Sequence, residues 1–90
     1  MALILANTEQ KYNQVVSYLK KLGYVWATDF PNHEPTFKES KRCYHGNSKL
    51  LIHAFDNDIT GKKEMCTTTL SIMQSYPQFK GIDLRRFIVE

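Results

Sequence analysis

Apolar residues fall along this chain in two rhythms. Residues 2–6, ALILA, form a short apolar run that reads as a buried strand. Further on, Tyr12, Val15, Val16, Leu19 and Leu22 recur at helical spacing and lay one apolar stripe along a helix, with Lys11, Asn13, Gln14, Ser17, Lys20 and Lys21 on its wet side. Asn7 with Gln10 three residues later has the spacing of a capping box. Lys20 and Lys21 fall where the helix dipole is negative, and Gly23 supplies a stop. Residues 24–28, YVWAT, are rich in strand formers.

Residues 29–46 break both rhythms. Pro31, Pro35 and several turn formers predict a long loop, with a short strand around residues 42–45. Alternation returns in residues 49–61, KLLIHAFDNDITG, the stretch that organises the rest. Leu50, Ile52 and Ala54 share one face and Leu51, His53 and Phe55 the other, so both faces are largely apolar and the strand belongs inside a sheet. Asp56, Asn57 and Asp58 read as a hairpin turn, and Ile59 and Thr60 as the start of the return. Gly61, Lys62 and Lys63 read as its fading into a loop or an exposed edge. Thr67 is placed to cap a short helix carrying Leu70, Ile72 and Met73, which Pro77 ends. Residues 82–89 form a closing strand broken at Arg85 and Arg86.

The predicted order is β-α-β-β-β-α-β. It describes one α+β domain over residues 1–90, with a mostly antiparallel sheet of four to five strands, one long N-terminal helix and one short helix packed on one face. A ferredoxin-like arrangement is the nearest common topology. The longest apolar runs are about four residues, against the ~20 that a membrane span needs. The N-terminal residues lack the basic and long apolar regions of a signal peptide, so the chain is expected to stay in the compartment where it is made.

Charge changes the picture in one region. The net charge of +3 is carried wholly by residues 36–63, where Lys38, Lys41, Arg42, Lys49, Lys62 and Lys63 outnumber Glu39, Asp56 and Asp58. With Phe37 and Tyr44 interleaved, this segment is the expected contact surface: Phe37, Lys38, Lys41, Arg42, Tyr44, Lys49, Lys62 and Lys63. A local positive patch attracts nucleic acid, a nucleotide or an acidic protein face. Trp26 is either a core anchor against the helix or a stacking platform for a base.

Reactive chemistry finds little support. Cys43 and His45 stand too close for usual zinc-ligand spacing, and His53 alternates with Leu51 and Phe55 as a core or edge histidine would. Asp56 and Asp58 begin like a calcium loop with Gly61 at the sixth position, but the twelfth is Thr67 rather than Glu. The glycines are scattered, so no phosphate cradle forms. Cys43 and Cys66 read as two separate thiols of a cytosolic protein, with a disulfide between them as the alternative in an oxidising compartment. No metal or cofactor is expected, and a small hydrolase built on His33, His45 or His53 ranks last among the readings.

KLGYVW at the end of an amphipathic helix, then LLIHAFDNDITG, then YPQFKGIDLRRFI resemble small single-domain accessory proteins of tailed bacteriophages and prophages. The resemblance spans residues 12–88; residues 30–46 and the TTTLSIMQ helix depart from it. It carries over no functional residue. It implies a context: a non-enzymatic protein acting in the cytoplasm of the infected bacterium, binding and occluding a host or defence protein. The alternative is nucleic-acid or cyclic-nucleotide binding through the same cations. A homodimer by strand pairing is expected if the last strand or the 61–63 edge is exposed.

Overall fold

The computed structural model describes residues 2–27, 33–43 and 48–90. The elements are β1 (Ala2–Leu5), α1 (Glu9–Lys21), β2 (Val25–Trp26), α2 (Phe37–Cys43), β3 (Leu51–Asn57), β4 (Lys62–Thr68), α3 (Leu70–Ser75) and β5 (Ile88–Val89). Two 3-10 turns, Pro77–Phe79 and Leu84–Phe87, lie between α3 and β5. The chain is an α+β domain around a five-stranded sheet in the order β2-β4-β3-β1-β5.

The strand expected to be interior is the axis of that sheet. β3 pairs antiparallel with β1 on one side and β4 on the other, while β2 and β5 join as parallel edges two residues long. The sheet is therefore mixed, although the antiparallel ladders carry most of its registered positions. The order refines the ferredoxin-like expectation. Here the outgoing hairpin strand, β3, lies beside β1, where a ferredoxin-like sheet places the returning one.

Register assigns the faces. Ala2, Ile4, Ile52, Ala54 and Met65 point to one side and pack with Tyr12, Val15 and Leu19 of α1 and with Phe37 of α2. Leu3, one position out of phase, meets Met73 of α3 and Leu84 on the opposite side. Helices thus cover both faces rather than one. The reason is visible in β3, whose Leu51 and Ile52 are adjacent and both buried, so each face needs a cover.

α1 ends as expected. Gly23, at φ +95, donates to the Lys20 carbonyl and Tyr24 to the Leu19 carbonyl, the paired bonds of a Schellman stop. Its start is one residue later than expected: Thr8, not Asn7, caps it by accepting from the Lys11 N–H. Asn7 is used elsewhere. Its Oδ1 accepts from the Leu50 N–H at 3.1 Å and from Lys41 Nζ at 2.9 Å, tying the helix entry to β3 and α2.

Other expectations are corrected. Residues 37–43 form α2 rather than loop, because Thr36 and Glu39 make a reciprocal capping box: the Glu39 N–H donates to Thr36 Oγ1 and the Thr36 N–H to Glu39 Oε1, each at 3.2 Å. The strand expected at 42–45 is helix through Cys43, and its remaining positions lie outside the described residues. The hairpin turn falls after Asn57, whose Oδ1 accepts from the Ile59 and Thr60 N–H groups, and Gly61 closes it at φ +71. Lys62 and Lys63 are consequently inside β4, opposite Asn57 and Asp56. Thr67 and Thr68 remain in the ladder, so Thr69 caps α3, accepting from the Ile72 N–H. Finally, the slip at Arg85 and Arg86 marks a 3-10 turn, and only Ile88 and Val89 pair in β5.

Candidate functional site

The expected contact residues do not form one patch. Phe37 is half-buried and packs edge-on against Tyr12, their rings 5.9 Å apart, so it is core rather than contact surface. Lys41 is tied down, donating from Nζ to Asn7 Oδ1 and to the Ser48 carbonyl, each at 2.9 Å. Lys38 and Arg42 are exposed on α2. Lys49 stands before the start of β3, and Lys62 pairs with Asn57 at its other end. The seven residues of β3, at about 3.3 Å each, hold those two cations roughly 20 Å apart. Lys63 lies over the Tyr24 ring, 5.8 Å from its centre. Tyr44 lies outside the described residues.

Trp26 takes its packing role. Its ring stacks on Tyr12 at 6.4 Å and its Nε1–H donates to Glu34 Oε1. Glu34 also pairs with Lys20, and these bonds hold its carboxyl below the usual range, the Lys20 contact most. The Tyr12 hydroxyl donates to the Pro35 carbonyl at 2.5 Å, and burial raises its pKa. A hollow of about 410 Å³ opens beside Trp26, Glu34 and Phe37, between α1 and the entry to α2.

The histidines are scattered. Exposed His33 bonds Glu39 through Nε2, and that bond, ahead of two from Thr36, keeps the Glu39 carboxyl low. His53 is half-buried on the second face, its ring stacked on Phe55 at 4.7 Å and in register with Cys66. Its Nε2 is buried without a hydrogen-bond partner among the described residues, and burial lowers its pKa. Burial also raises the Cys66 thiol. Cys43 and Cys66 are free thiols. Among the described residues, no three His, Cys, Asp or Glu side chains converge as metal ligands. Among the described residues, no helix is long and apolar enough to cross a membrane.

Two features were not anticipated, a groove on the second face and an exposed stretch near the C-terminal end. The first is a groove of about 430 Å³, floored by Leu5, Leu51, Leu70 and Ile88 and rimmed by Lys49 and Arg85. Neither cation has an ion-pair partner among the described residues. It exists because α3 is only six residues long and cannot roof the sheet. The second is a strip of sequence in the C-terminal third: Tyr76, Ile82 and Phe87 are 42–50% exposed along the turns that lead into β5, Val89 is 56% exposed within it, and Arg85 and Arg86 are exposed in the same stretch. The available sequence signal was the density of large apolar residues in residues 76–89, more than one short strand can bury. No protein-family model matches this chain, and neither does any curated protein or solved structure.

Proposed function

We propose that this chain is a non-enzymatic binding protein that docks on a partner protein and blocks it. One observation carries the reading: the strip of Tyr76, Ile82, Phe87 and Val89 with Arg85 and Arg86. Aromatic and arginine side chains are what the buried centres of interfaces are enriched in, and a standard interface takes only about 800 Å² from each side. The contact surface thereby moves from residues 37–63 to residues 76–89. In the setting implied by the resemblance to phage accessory proteins, the partner is a bacterial host or defence protein, reached in the cytoplasm of the infected cell, and the mode is occlusion.

Nucleic-acid or nucleotide binding has weaker support. The cations that would carry it are split between two ends of the sheet, and one of them, Lys41, is held by internal bonds. Capture from a bacterial lysate compares the chain with its Tyr76→Ser/Phe87→Ser and Lys62→Glu/Lys63→Glu variants, with and without nuclease. The expected result is a protein retained after nuclease and by the lysine variant, and lost from the aromatic variant. A catch that vanishes with nuclease, or weakens steeply with added salt, overturns the reading in favour of nucleic acid.

A further inference from the structure

We propose that the groove on the second face is a binding site for a small aliphatic carboxylate, adjoining the docking strip at Arg85. The argument begins with topology. β1 and β4 run in the same direction with only β3 between them. β1 leads into α1 on the first face, whereas β4 leads into α3 on the second. At the carboxyl ends of these strands the chain therefore departs to opposite sides. In sheets with helices on both faces such a divergence opens the crevice where ligands bind. The groove lies there: Leu5 ends β1, Thr69 follows β4, and Ile88 and Glu90 border the end of β5.

The lining sets the ligand class. About 430 Å³ lies within the usual range for small-molecule pockets. The floor of Leu5, Leu51, Leu70 and Ile88 is aliphatic, without an aromatic face on which a base would stack. The rim holds two cations, Lys49 and Arg85, with the Glu90 side-chain carboxylate beside them. A ligand that fits has an unbranched apolar body and a single negative end. Ser48 and Ser71 place hydroxyls beside the charged end, and the Thr69 hydroxyl, which accepts from the Ile72 N–H at the α3 cap, keeps its own O–H to donate.

The probes are hexanoate, octanoate and octanol, titrated against the full chain with the methyl NMR signals as readout. Octanoate should give saturable shifts at Leu5, Leu51, Leu70 and Ile88. Affinity should rise about fourfold per added methylene until the groove is full. Octanol, and octanoate against a Lys49→Gln/Arg85→Gln variant, should bind about twofold to fivefold more weakly. Glu90→Gln should tighten octanoate by a comparable factor. The substituted side chains are exposed, so the variants keep the fold. Shifts that stay linear to about 10 mM, weaker than any millimolar site, overturn the proposal. So does octanol binding as tightly as octanoate, or unchanged affinity in the double variant. Loss of protein capture by the aromatic variant reports on the strip alone, so the two readings fail separately.

Discussion

The two faces of the sheet are closed by unequal covers. On the first, a thirteen-residue helix capped at both ends is joined by α2, and eight residues are buried between them and the strands. On the second, a six-residue helix and two 3-10 turns enclose a cluster of three among the described residues, Leu3, Met73 and Leu84, with Leu51 buried beside it under the groove. Burial of apolar surface is the main favourable term in folding, so the first face holds the domain together. The second retains a feature that suits recognition: an aliphatic groove whose cations have no ion-pair partner among the described residues, next to the exposed rings of the turns that follow α3. The comparison predicts that stability and binding separate by face.

The largest test of that separation is a pair of truncations. Ile52→Ala empties a fully buried site on the first face and should lower stability by about 2–5 kcal/mol in urea unfolding. Leu70→Ala removes a half-buried side chain from the groove floor and should lower it by less than about 2 kcal/mol, while abolishing octanoate binding. Equal losses would mean that the faces share one core, and the comparison would fail. Next in size is Asn7→Ala. It strips the acceptor from the part-buried Leu50 N–H and leaves Lys41 with the Ser48 carbonyl, at a cost of about 1–3 kcal/mol. Faster amide exchange at Leu50 should accompany it, and exchange there at the parental rate would remove Asn7 from the first face's support.

The same contrast separates what the sequence made legible from what it did not. α1, its glycine stop and the interior strand β3 are carried by periodicity extending over many residues, and tertiary contacts reinforce that signal. The second-face elements are short. Three consecutive threonines, Thr67 to Thr69, offer the same capping hydroxyl, and only the pairing of Thr67 with Ile52 and Thr68 with Leu51 leaves Thr69 for the helix. Leu84–Phe87 carries strand-like residues but turns as a 3-10 segment, where the Asp83 carboxylate accepts from the Arg85 N–H. α2 was legible in principle, since Thr36 and Glu39 have capping-box spacing, but the flanking prolines argued for loop. The charge patch misled for a simpler reason. Proximity in sequence from residue 36 to 63 spans both ends of β3, and the sheet pulls its cations apart.

The caps sharpen the comparison at smaller scale. Thr8→Ala and Thr69→Ala each remove one side-chain acceptor and should each lower helix stability by about 1 kcal/mol. α1 is long and well buried, so its loss should appear only as a shift of the global unfolding midpoint. α3 has six residues and little else to hold it, so Thr69→Ala should open it locally: amides of Met73 and its neighbours exchange early, with the midpoint almost unmoved. A global response to Thr69→Ala would show that the second face is coupled to the first more tightly than its packing indicates.

The smallest effect separates the faces by pH. On the second face, burial holds the His53 imidazole below its ordinary 6.5, and the positive N-terminus adds to this. The unfolded chain therefore binds a proton at a pH where the folded one does not. Stability is full above about 6.5 and declines as pH falls from there toward the lowered folded value. Glu34 and Glu39 have carboxyls held below 4.5, the first chiefly by Lys20 and the second by His33. Their contribution is present above 4.5 and is lost only as pH falls through the depressed values, a more acid window. Two declines should thus appear in urea midpoints followed from pH 7 downward, one from each group. His53→Phe, which sets an apolar ring beside Phe55, should flatten the upper decline and leave the lower intact, and Glu39→Gln should reduce only the lower. An upper decline that survives His53→Phe would assign it to another group and remove the pH signature of the second face.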